Sequence, residues 1–281
     1  MSKPTITVAG VVLLVASRAA AEPGYKAEIA AWRAEHEAGL VADGGWLSVA
    51  GLIWLPEGVT RFGPAQDSDL VLPDPAAPAG TLERHGATVT LTLPPAPPRE
   101  LRSDDPGPPD PVTLGRLAFH IVHRGERWGV RLKDPENPRR KAFKGLRWYP
   151  VSPKLRVVAR WEPWTEPRTL PVPNVLGDVV PMASPGRAVF KIGKKEVALE
   201  AVQDPPGEPE LFFIFADRTT GRRTYGGGRF LYTALPADGQ VVLDFNKAES
   251  PPCAFTDFAT CPLPPRQNVL PVAVPAGERT R

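Results

Sequence analysis

Thr224-Tyr-Gly-Gly-Gly-Arg-Phe-Leu-Tyr-Thr233, followed by Val241-Val-Leu-Asp-Phe-Asn246, is the stretch on which the reading of this chain turns. Arg229 to Thr233 and Val241 to Asn246 are short runs rich in β-branched and aromatic residues, the signature of strands. The glycines Gly226 to Gly228 admit a bulge or a close backbone approach before the first run. Just upstream, Asp217-Arg-Thr-Thr-Gly221 reads as the close of a hairpin, with Asp and Thr bonding back to backbone amides and Gly221 taking a positive φ. In Val241 to Asn246 the pleat puts Val242, Asp244 and Asn246 on one face and Val241, Leu243 and Phe245 on the other. An acid and an amide therefore leave this strand side by side.

Working outward, the same period of two recurs. Leu155, Val157, Ala159 and Trp161 alternate inward, and further strands are expected near Thr169 to Val172, Ala188 to Ile192, Glu196 to Ala201 and Leu211 to Phe215. Gly115 to Lys133 reads as a hairpin turning at Gly125-Glu126, with Gly129, Arg131 and Lys133 on a hydrated face opposite Trp128, Val130 and Leu132. Earlier, short strands surround a turn at His85-Gly86, and Gly45 to Leu55 alternates with both faces apolar. Tyr25, Ile29, Trp32, His36 and Leu40 form one stripe of an amphipathic helix, with His36 expected to pack rather than to ligate.

The expected fold is mostly β. An N-terminal helix over residues 22–44 leads to a small β-lobe over 45–93 and a proline-rich linker over 94–111. A larger antiparallel β-sandwich or open barrel follows over 112–281, with a C-terminal Pro/Cys loop. The 36 prolines and 25 glycines fit many short strands cut by rigid turns, while 42% apolar residues and seven tryptophans exclude a disordered chain.

The first 21 residues predict a secretory signal peptide: a basic start at Lys3, an apolar run from Ile6 to Ala16, and Ala19-Ala20-Ala21 as the cleavage site. The expected location is periplasmic or secreted. Losing Lys3 and Arg18 with that segment lowers the formal charge from +3 to +1. So neutral a chain predicts no nucleic-acid partner, and no other run approaches spanning length, so no stable membrane insertion is expected after signal removal.

No cofactor signature is present, because the glycine run lacks the following helix and the Lys of a P-loop. No metal site is expected: His120 and His123, three apart on a strand, point to opposite faces. Cys253 and Cys261, the only cysteines, predict first a disulfide in an exported chain, which would contribute about 2.5 kcal/mol, the alternative being a catalytic thiolate that needs a base or an electropositive setting.

A set of motifs spans nearly the whole mature chain. It comprises Trp32, Gly45-Trp-Leu47, Arg131-Leu-Lys-Asp134, Phe143-Lys-Gly145, Thr224-Tyr-Gly226, Gly228-Arg-Phe-Leu231, Leu243-Asp-Phe-Asn246, Pro251-Pro-Cys-Ala-Phe255, Cys261-Pro-Leu-Pro-Pro265, Asn268 and Ala276-Gly-Glu278. In these the chain resembles the domain-of-unknown-function family numbered 1684 (DUF1684). Ser250 stands where the family pattern has Asn before Pro-Pro-Cys. If that Asn bonds a ligand, the ligand differs here; if it caps a turn, Ser replaces it easily. The resemblance implies no activity.

Two functions fit these residues. In the first, Arg229, Tyr232, Asp244, Asn246 and Asn268 line a cleft of the C-terminal β-domain that binds a small polar or envelope-derived molecule. In the alternative, the protein is a hydrolase with Asp244 or Glu278 as general base and Arg229 stabilising developing negative charge. The first is the leading expectation, because no nucleophile, base and orienting group are legible together.

Overall fold

The apolar stripe at Tyr25, Ile29, Trp32, His36 and Leu40 folds as expected into a helix, α1 (Glu22–Val41), with Tyr25, Ile29 and Leu40 buried. The computed structural model describes residues 22–280, so the signal segment expected over 1–21 lies outside the described residues. The chain then folds back over the end of α1. A Cβ on Gly45 would sit 2.3 Å from the Gly39 carbonyl oxygen, so only glycine allows that return.

Two sheets form the N-terminal lobe. In chain order its strands are β1 (Val49–Trp54), β2 (Gly58–Gly63), β3 (Leu70–Val71), β4 (Gly80–His85), β5 (Thr88–Thr92), β6 (Arg99–Glu100), β7 (Val112–Leu114), β8 (Leu117–Arg124) and β9 (Arg127–Lys133). They pair in the orders β3-β2-β4-β5-β6 and β1-β9-β8-β7. Phe62, Leu82 and Leu91 from the first sheet share one core with Phe119, Ile121 and Val130 from the second, and the Phe62 and Phe119 rings meet edge to face at 5.9 Å. The turns expected at Gly86 and Gly125 are present, each glycine with positive φ.

The strand pairing runs across the proline-rich stretch expected to be a linker. β7, β8 and β9 lie beyond it, yet β9 pairs antiparallel with β1, from Trp54 opposite Gly129 to Val49 opposite Lys133. The sheets therefore divide after Lys133 rather than between residues 94 and 111. The reason is hydrophobic closure: β2 to β6 bury one face only when β8 and β9 cover it. Arg131 is a second correction, since it lies on an inner strand of its sheet and is buried rather than hydrated.

A short helix, α2 (Pro138–Ala142), leads into the larger antiparallel assembly. Its strands are β10 (Arg147–Trp148), β11 (Arg156–Pro173), β12 (Val179–Ile192), β13 (Lys195–Glu200), β14 (Glu210–Phe215), β15 (Arg229–Ala234), β16 (Gln240–Asp244) and β17 (Glu278–Arg279). The orders are β13-β12-β11-β16, β14-β15 and β10-β17, and no barrel closes among the described residues. Ala159, Ala188, Leu199, Phe213, Phe215, Leu231, Leu243 and Phe245 fill the core, with Leu155, Val157 and Trp161 packed against it as the alternation predicts.

The strands expected at Leu155 to Trp161 and Thr169 to Val172 are one strand, β11, with an irregularity inside it. Between Pro163 and Arg168 five residues advance on β11 against two, Gly186 to Ser184, on β12. Pro163 and Pro167 offer no N–H to the ladder, so the pairing breaks there and the chain bulges outward at Trp164.

Candidate functional site

Asp244 and Asn246 do come together, but as a tie rather than as an open site. Asp244 ends β16 and caps the 3-10 turn Phe245–Lys247, accepting from the Asn246 backbone N–H. The Tyr25 hydroxyl from α1 donates to Asp244 at 2.8 Å (Oδ1) and 2.9 Å (Oδ2). The Asn246 amide donates to the Tyr25 oxygen and exchanges bonds with the Ser152 backbone, giving Nδ2 to its carbonyl at 2.9 Å and taking its N–H on Oδ1 at 2.8 Å. Burial, then the Asp244 carboxylate, push the Tyr25 phenol well above its ordinary pKa. Asn246 is fully buried, so this network fastens the helix to the sandwich.

Arg229 is likewise sealed in, at 1% exposure. Its guanidinium pairs with Asp217 at 2.9 Å, donates to the Val274 and Ala276 carbonyls, and lies 5.0 Å from the Phe215 ring centroid. Asp217 also accepts from the Thr219 N–H and hydroxyl, the back-bonding expected of this turn. Gly228 permits the close approach beside it: with φ +87°, a Cβ there would meet Pro264 at 2.3 Å.

Glu278 accepts from the Ser250 backbone N–H at 2.9 Å, so Ser250 acts in a turn. Burial raises the Glu278 carboxyl, against the pull of Ser250. Tyr232 lies elsewhere, half-exposed and stacked on Phe212 at 4.7 Å. The general base and charge-stabilising arginine of the hydrolytic reading are thus each committed to their own structural partners. Asp244, Arg229 and Glu278 line neither of the two clefts described below.

The expected disulfide is not formed: Cys253 and Cys261 are both free thiols. They are nonetheless adjacent, with the Cys253 backbone N–H donating to Cys261 Sγ at 3.2 Å. The rigid turn Pro252–Ala254 sets that approach. Among the described residues no three His, Cys, Asp or Glu side chains are grouped to hold a metal ion.

The bulge at Trp164 builds the feature that the sequence reading missed, a cleft of about 460 Å³. Trp164 and Arg168 come from β11, Arg187 from β12, Glu196 and Glu200 from β13, and Gln267 from the C-terminal segment, over a floor of Val197 and Leu270. Arg168 lies 4.0 Å above the Trp164 ring and reaches Glu200 Oε2 at 3.0 Å. The buried Glu200 carboxylate also accepts from Ser184 Oγ at 3.0 Å and from Gln267 Nε2 at 3.4 Å. Trp164 Nε1 donates to that same Ser184 oxygen at 3.0 Å.

Asn268 is the one sequence-predicted residue that bears on this cleft, and it does so by positioning. Its amide brackets the Glu200 backbone, accepting its N–H at 2.8 Å and donating to its carbonyl at 2.9 Å, while also reaching the Ile214 carbonyl at 3.0 Å. The available signal was Pro163-Trp-Thr-Glu-Pro167, where the alternation of β11 fails around a tryptophan. A second cleft of about 530 Å³ touches β1, β3 and α2, but its carboxylates are paired outward, Asp134 with Arg116 and Asp69 with Arg61.

The profile described as "Protein of unknown function (DUF1684)" matches residues 141–279. No curated protein matches the chain. Among solved structures, an uncharacterized protein of Haloarcula marismortui, determined by solution NMR, is 35% identical over 52% of this chain and 80% of that one, with a TM-score of 0.43.

Proposed function

The chain belongs to the DUF1684 family of proteins of unknown function, and from that premise we propose that it is an exported protein that binds a small, neutral, hydroxyl-rich molecule, of the kind envelope sugars present, in the Trp164 cleft. One observation carries this reading. The buried Glu200 carboxylate is held by Ser184, Arg168 and Gln267 at the wall of an open cleft, and an indole shares the Ser184 hydroxyl. Fixed polar groups converging beside an aromatic ring in a cleft of this size suit a small ligand. Arg168 and Arg187 are balanced by Glu196 and Glu200, which favours a neutral ligand over an anion. Export rests on the apolar run and the small residues at Ala19 and Ala21. The hydrolytic alternative has no comparable support, since Arg229 is sealed against Asp217.

The test is a thermal-shift and calorimetric screen of the purified protein against neutral sugars, sugar acids and organic acids. Neutral sugars are expected to raise the Tm, Glu200→Gln to remove the shift, and Asp244→Asn to keep it. Ligands whose binding survives both Glu200→Gln and Trp164→Ala would end this assignment. Sequencing of the exported chain is expected to begin at Glu22.

A further inference from the structure

A different part of the molecule, the Cys253–Cys261 loop against β9, carries a chemistry that the cleft does not. Cys261 is buried and Cys253 half-buried, and the two are adjacent, with the Cys253 N–H donating to Cys261 Sγ at 3.2 Å. Two cations reach Thr260, next to Cys261: Arg124 through Nε at 2.9 Å and, at 4% exposure and stacked 5.2 Å from the Trp46 ring centroid, Arg131. Its Nη1 lies 3.7 Å from Asp104 and its Nη2 3.4 Å from Thr260 Oγ1, while Nε has no hydrogen-bond partner among the described residues. A guanidinium so buried and incompletely satisfied favours negative charge on its neighbours.

We propose that Cys253 and Cys261 form a thiol-exchange site for low-molecular-weight disulfides, with Cys253 as attacking thiolate, Cys261 as resolving thiol and Arg131 as the fixed cation that stabilises the thiolate. The assignment rests on three features: a partly exposed Cys253, a second thiol held next to it by the Cys253 N–H, and a buried cation that reaches Thr260, the residue before Cys261. The electrostatics agree, since the hydrogen bond from Cys261 first, and then backbone donors and Arg131, pull the Cys253 thiol down to about 7 against the opposing effect of burial. Cys261, which donates to that thiolate and is itself buried, moves the other way. Burial, then the Arg131 charge, also push His120, opposite Arg131 in the sheet, down to about 4.

The reaction balances as ordinary exchange. Cys253 Sγ attacks one sulfur of a disulfide RSSR, the S–S bond breaks, and RS⁻ leaves and takes a proton from solvent. Cys261 then loses its proton to solvent and attacks Cys253 Sγ, expelling the second RS⁻. The dithiol gives up two electrons, and RSSR is reduced to two RSH.

The experiment equilibrates the purified full chain in reduced and oxidised glutathione, quenches with acid and reads intact mass. The wild type is expected to interconvert between dithiol and oxidised forms under native conditions, Cys261→Ser to stop at one glutathione adduct, and Cys253→Ser to take none. Iodoacetamide labelling of the reduced protein is expected to fall on Cys253 with a half-maximal rate near pH 7. At that pH the larger thiolate fraction, tempered by lower nucleophilicity, predicts a rate about threefold above glutathione. Arg131→Lys should preserve this profile and Arg131→Met should move it to higher pH. Three results would overturn the proposal: thiols inert to both reagents, a bridge reducible only in denaturant, or equal labelling of the two cysteines.

Discussion

Two arginines in this molecule share a pair of contacts, a carboxylate and an aromatic ring, with opposite consequences. Arg229 pairs with Asp217 over the Phe215 ring, and Arg168 pairs with Glu200 over the Trp164 ring. The first pair is shut off from solvent, with side-chain exposures of 1% and 0%; in the second the arginine is 45% exposed at a cleft. Sealing turns a charge pair into a fastener, and opening it leaves donors and acceptors free to meet a ligand. The residue types alone do not distinguish the two cases; the bulge at Trp164 does.

The largest effect expected from this contrast is on stability. Asp217→Ala strands a buried guanidinium, a loss of about 3–5 kcal/mol. Chemical denaturation measures it, and a cost under about 1 kcal/mol would mean that Arg229 is far better solvated than its burial implies. Arg168→Ala at the open pair should cost less, about 1–2 kcal/mol, because the buried Glu200 carboxylate keeps its bonds from Ser184 and Gln267.

Between these extremes lies the Tyr25 tie. Tyr25→Phe removes the donor shared by both Asp244 oxygens and the acceptor of the Asn246 amide, with an expected cost of about 2 kcal/mol. The loss should appear as earlier release of α1, read as faster amide exchange in residues 22–41. Unchanged exchange there would place the helix's anchorage elsewhere. Ile29, buried on the same face, is the obvious second anchor.

How much of this was legible follows from the range of each interaction. The stripe from Tyr25 to Leu40, the inward alternation of Leu155 to Trp161 and the turns at Gly86 and Gly125 depend on local backbone geometry, and all were readable. The adjacency of Asp244 and Asn246 was readable too, but their role was not, because Tyr25 arrives from 219 and 221 residues away. Arg131 reads as a solvated strand residue until β9 is known to lie between β1 and β8. The division of the sheets was misplaced for a related reason. Proline-rich composition signals stiffness, whereas the pairing of β9 with β1 is decided by which surface must be covered. The cleft depends on a register break between two strands, visible in one strand's sequence only as lost alternation.

The smallest effect tests the other end of α1, where His36 contrasts with Tyr25 in having a titratable bond. His36 stacks on Trp32 at 5.3 Å and bonds Glu249 through Nδ1 at 3.1 Å, with Trp148 of β10 against its edge and Glu278 of β17 and Glu37 of α1 in its field. Burial pulls its pKa down, but the bond to Glu249 and the surrounding carboxylates outweigh this, so the folded value lies above the ordinary 6.5. Stability from this pair is therefore fully present below about pH 6.5 and lost as pH rises through the folded value. The raised Glu278 carboxyl works with the same sign, its contribution being lost as pH rises above its ordinary 4.5, so Glu278→Gln removes that part. In that background, denaturation midpoints are expected to fall between pH 6 and pH 8.5, and His36→Gln to flatten the fall. An equal slope in the His36→Gln protein would show that the imidazole is held by stacking between Trp32 and Trp148, with its charge contributing nothing.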